Sequence, residues 1–129
     1  MTLKEAIINF RTLRDAPFDD AMLTEWLSEI DAAAVDEVIS KCDKTAKIKR
    51  FDYLKDREEA LSVPFPDESI YFLYLSMKSD LVLGDSARYN LSALAFENAW
   101  KSFAERYFRN NLPSSRKIKI GGKLELFQT

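Results

Sequence analysis

Two residues, Gly84 and Asp85, separate the last two helical patterns in the chain, and so short a connection forces them into an antiparallel hairpin. From Ile70 to Leu83 the pattern is apolar nearly all round. Ile70, Leu73, Met77 and Leu81 make one stripe, and Phe72, Leu75 and Val82 make another. A helix apolar on most sides must be covered on most sides, so it is expected at the centre of the fold or beneath a neighbouring subunit. Gly84 supplies the left-handed residue that ends this helix, and Asp85 supplies a side-chain acceptor to begin the next. From Ser86 to Arg109, Tyr89, Ala93, Phe96, Trp100, Phe103 and Tyr107 recur at alternating spacings of four and three, a heptad-like seam of aromatic rings. At ~1.5 Å per residue that helix is about 36 Å long.

The rest of the chain agrees with a helical reading. Three glycines and four prolines in 129 residues leave little material for the turns of a many-stranded sandwich, and a length of this order fits one domain. Thr2 and Glu5 have capping-box spacing and start a helix from Leu3 to about Arg14, with Leu3, Ala6, Ile7, Phe10 and Leu13 on its apolar face. Ala16-Pro17 ends it, because a residue before proline is pushed out of the helical region. Asp19 caps a second helix reaching about Cys42, with Phe18 and Leu23 spaced as a hydrophobic staple and Leu23, Trp26, Leu27, Ile30, Ala34 and Val38 buried. Residues 43 to 60 read as a loop with one short helical turn. The prolines of Val63-Pro64-Phe65-Pro66 predict an extended strut, after which Asp67 opens the apolar helix. The expected fold is therefore all-α: a four-helix bundle-like domain over residues 1–112, ending in a long helical hairpin, followed by a β-like arm over 113–129.

That arm alternates Lys117-Ile118-Lys119-Ile120 and Lys123-Leu124-Glu125-Leu126 about Gly121-Gly122. A three-residue connection would pair Ile120 with Leu124 and Ile118 with Leu126, giving one apolar face, whereas a two-residue turn would set isoleucines and leucines on opposite faces. A lone two-stranded ribbon is marginal in water, so the arm needs a surface to lie on.

Chemistry is sparse. Histidine is absent, which removes the commonest general base near neutral pH and the commonest zinc ligand. There is no glycine-rich phosphate loop, no nucleophile elbow and no metal-ligand spacing, so no catalytic, cofactor-binding or metal residue is assigned. The acidic pairs Asp19-Asp20, Asp36-Glu37 and Glu58-Glu59 read as helix start or surface. The single Cys42 has no internal partner and lies at a helix end, where the dipole disfavours a thiolate. No leader layout opens the chain and no apolar run approaches the roughly 18 residues of a membrane span, so a soluble, cytoplasmically made protein with no membrane contact is expected. The net charge of −2 is unevenly spread: residues 1–42 carry four basic against nine acidic side chains, and residues 113–129 carry four against one. Lys44, Lys47, Lys49 and Arg50 follow one another with no acid between, a candidate contact for DNA or an acidic partner. Arg88, Asn90 and Asn98 lie on the long helix, where an amide beside the packed seam suggests a buried polar contact or a contact to another chain, the plain alternative being that both amides face solvent.

The order Val63-Pro64-Phe65-Pro66-Asp67-Glu68, Tyr71-Phe72-Leu73-Tyr74-Leu75, Asp80, Gly84, Arg88-Tyr89-Asn90, Ser92, Phe96, Asn98-Ala99-Trp100, Phe103, Tyr107-Phe108 and Pro113 resembles the small helical head-tail connector (adaptor) proteins of tailed bacteriophages and Firmicutes prophages. Lys4-Glu5-Ala6-Ile7, Phe18-Asp19-Asp20, Leu23, Trp26-Leu27 and Glu29-Ile30-Asp31 add to the likeness. Residues 43–60 and the strand-like arm depart from it.

The resemblance implies a non-enzymatic virion protein at the head-tail junction: a dodecameric ring beneath the portal protein, extending the channel through which DNA passes without sequence specificity, and carrying the stopper or tail-completion protein. A free monomer is compatible with a ring that forms only on the portal. Arg88, Asn90, Asn98, Ile118, Ile120, Leu124 and Leu126 are then the candidate interface residues. The alternative is a small phage DNA-binding or packaging accessory protein using Lys44, Lys47, Lys49 and Arg50, whose mark would be steep salt dependence.

Overall fold

Helix α1, Leu3–Leu13, begins on the expected capping box: Glu5 N–H donates to Thr2 Oγ1 at 3.1 Å and Thr2 N–H donates to Glu5 Oε1 at 2.8 Å. The structure is a computed structural model and describes residues 1–112. Two more first-turn donors of α1 that no helical carbonyl can reach are taken from outside. Leu3 N–H donates to Glu59 C=O and Lys4 N–H to Arg57 C=O, each at 3.0 Å, beside an isolated antiparallel bridge between Thr2 and Ala60. The loop after residue 43 thus folds back to close the start of α1. Leu3, Ala6, Ile7 and Phe10 are buried as their spacing requires. Leu13 is not; it is 61% exposed. The helix stops there, and it is Arg14, in extended conformation, that turns onto the neighbouring helix.

Helix α2, Asp20–Ala34, starts where Asp19 accepts the Met22 N–H at 2.8 Å, and Phe18, Leu23, Trp26, Leu27, Ile30 and Ala34 are all buried. It runs on to Cys42 through a feature the sequence does not announce: a π-helical turn over Val35–Ile39, then Ser40–Cys42. Val35, Val38 and Ile39 of that turn are buried, so the wide register keeps the apolar side chains on the core. Helix α3 is a single turn, Tyr53–Asp56, capped by Asp52. Just before it, Phe51 is buried, with its N–H on Ser28 Oγ at 2.9 Å.

The proline segment departs from the expected strut. Leu61 and Val63 are buried, but residues 65–68 turn, with Asp67 N–H on Pro64 C=O at 3.0 Å. Asp67 does not cap the next helix either. Glu68 occupies that position without a side-chain capping bond, its carboxylate being on the Met1 ammonium, and the Asp67 carboxylate instead accepts a hydrogen bond from Arg106 Nε at 3.0 Å.

Helix α4, Ser69–Leu83, packs against α1, α2 and the final helix. Its first half is central: Ile70, Tyr71 and Leu75 are fully buried. Its second half differs from the apolar expectation in two ways. The covered residues there are polar, Ser76, Ser79 and Asp80, while Leu81, Val82 and Leu83 are more than half exposed. Gly84 takes the left-handed conformation at φ 76°, and Asp85 accepts the Arg88 N–H at 3.1 Å. Helix α5, Ser86–Asn111, then returns antiparallel along α4.

The architecture is all-α, four principal helices and one single turn, with no strand among the described residues. The arm 113–129, with its expected pairing of Ile118, Ile120, Leu124 and Leu126, lies outside them.

Candidate interaction surface

The aromatic seam of α5 faces α4 and forms a continuous ladder. Tyr74 of α4 meets Phe96 at 5.3 Å between ring centroids, Phe96 meets Trp100 at 6.0 Å, Trp100 meets Phe103 at 5.6 Å and Phe103 meets Tyr107 at 6.0 Å. Tilted and edge-on contacts of this kind are the favoured geometry for aromatic pairs. Yet only Phe103 is fully buried in the 26 residues of the helix; the other rings of the seam are half-buried. Helix α5 touches α4 and the π-helical turn and otherwise stands at the edge of the molecule.

Its opposite side is the unusual one. From Tyr89 to Phe96 the sequence carries no charge. Leu91, Leu94 and Asn98 recur at helical spacing on the side away from the seam; Leu91 is 71% and Leu94 56% exposed, and Asn98 is exposed too. Asn90 edges the same face and is also exposed. Leu81, Val82 and Leu83 at the end of α4 are exposed as well, so the far half of the hairpin leaves several apolar side chains in solvent beside the exposed Asp85 and Arg88. Apolar side chains scattered singly over a surface need no explanation, whereas several grouped at one end make this part of the hairpin the candidate contact surface.

Two buried carboxylates fix the hairpin to the body. Asp80, 2% exposed, accepts Arg14 Nη2 at 2.8 Å and the Ser92 hydroxyl, so one side chain ties α1, α4 and α5 together; Arg14 Nη1 also bonds the Ser76 carbonyl at 3.2 Å. Burial alone would raise the Asp80 pKa, but the hydrogen bonds from Arg14 and Ser92 and the charges of Arg14 and Arg88 outweigh it and hold the carboxyl below its ordinary value. Asp31, 1% exposed, accepts three bonds: Ser62 N–H at 2.8 Å, Ser62 Oγ at 2.9 Å and the Tyr71 hydroxyl at 2.6 Å. Tyr71 Oη in turn accepts Val63 N–H at 2.9 Å. Burial, then the Asp31 charge, push the Tyr71 phenol well above its usual range. Both carboxylates are consumed in internal bonds, and neither faces a cleft. A shallow, open groove over the outside of α1, lined by Glu5, Ile8, Asn9, Thr12 and Glu68, contains no such group.

The sequence-derived candidates fall out as follows. Arg88 is 62% exposed at the hairpin tip, its Nε 4.0 Å from Asp80. Asn90 and Asn98 face solvent rather than making a buried contact. Lys44, Lys47, Lys49 and Arg50 are all exposed, but two of them are already paired. Lys49 Nζ lies 2.6 Å from Glu59 and 3.8 Å from Asp56, and Arg50 bonds Glu25 through two guanidinium nitrogens at 3.0 to 3.1 Å. The charge run that looks unbroken in sequence is therefore half neutralised across the fold. Asp19-Asp20 starts α2, and Asp36-Glu37 and Glu58-Glu59 are exposed as read. Among the described residues no group of three or more metal-ligating side chains is brought together, and no helix is long and apolar enough to cross a membrane. What sequence reasoning missed were Asp31 and Asp80. The signal was present: Asp31 follows Leu23 and Leu27 at spacings of four, in phase with the buried face.

Compared with models of protein families, with curated proteins and with solved structures, the chain matches none.

Proposed function

We propose that this chain is a non-enzymatic assembly subunit, a head-tail connector protein that forms a ring between the portal and the stopper or tail-completion protein of a tailed phage. The single observation that carries the assembly part is the set of exposed apolar side chains, Leu81, Val82, Leu83, Leu91 and Leu94, on the far half of the α4–α5 hairpin, which the Arg14–Asp80 pair ties to the body. A surface already fixed in its binding shape loses less entropy on docking than one that must order itself. The phage assignment rests on the motif order from Val63 to Phe108, and the dodecameric ring and virion location follow from that resemblance alone. In this reading DNA passes the ring without base contacts, and the arm 113–129 docks on a neighbour or on the portal, adding strands to an existing sheet edge.

The test is twofold. Genes for a portal and a major capsid protein directly upstream support the reading, and a free-standing operon counts against it. Cryo-microscopy of the assembled particles then shows a ring of this chain below the portal with residues 114–129 docked; an arm left in solvent, or no ring, refutes it.

A further inference from the structure

We draw no further inference here: the strongest candidate, the exposed patch of Leu91 and Leu94 on the outer side of α5, lies beside the exposed charges Arg88 and Glu105, and nothing in the structure shows what covers it.

Discussion

Asp31 and Asp80 do more for this fold than any exposed ion pair, because each is buried and each joins elements far apart in sequence. Removing the Asp31 carboxylate leaves the Ser62 N–H, the Ser62 hydroxyl and the Tyr71 hydroxyl without their acceptor, and unsatisfied buried donors cost more than the lost bonds themselves. Asp31→Ala is expected to lower the unfolding free energy by about 3 kcal/mol, read from the shift of the urea midpoint. Asp80 adds a pH dependence whose sign is fixed. Its pKa in the folded chain lies below the ordinary 3.8, so its contribution is complete above that value. As pH falls, the unfolded chain takes up the proton first, and the contribution is lost down through the depressed folded value. Asp80→Asn should therefore be about 2 kcal/mol less stable than the parent near neutral pH, the gap closing as acid titrates the parent below about pH 4. A gap that stays constant to low pH would show that the charge is immaterial. Both aspartates were legible as aspartates but not as anchors. Asp31 sits in phase with buried leucines, and only the fold shows that Ser62 and Tyr71 arrive to meet it.

The elements were more legible than the residues that join them. Capping signals placed the starts of α1, α2 and α5 correctly, since each rests on one local hydrogen bond between neighbours in sequence. The hairpin turn was equally readable, and Gly84 is there for its backbone. A Cβ at Gly84 would meet nothing within 4 Å, so Gly84→Ala tests conformation alone and should cost about 1 kcal/mol from φ 76° without any clash. A neutral result in thermal unfolding would mean that the turn relaxes. The π-helical turn at Val35–Ile39 was not readable, because no glycine or proline marks it and its register is decided by packing against α5. Asp67 was misread for a similar reason: local pattern made it a cap, but Arg106, thirty-nine residues on, claims its carboxylate. Of the two ways to cover an all-round apolar α4, the chain's own core serves only the first half; the covered second half is serine and aspartate, and the last three apolar residues face water.

For the molecule as a whole, periodicity predicted the all-α architecture seen over residues 1–112, and tertiary pairing decided which surfaces remain exposed. Lys49 and Arg50 are held by Glu59, Asp56 and Glu25, so the basic segment offers a partner less charge than its sequence suggests. The outer side of α5 around Leu91 and Leu94, uncharged from Tyr89 to Phe96, is left instead, away from the core. Carbene footprinting of Leu91 and Leu94, in the dilute chain and again in assembled particles, tests most directly whether that face exists to be covered. The account predicts strong labelling of both leucines in the dilute chain and near-complete protection after assembly, with Phe103 shielded throughout. Equal labelling of Leu91 and Leu94 in the two states would contradict it.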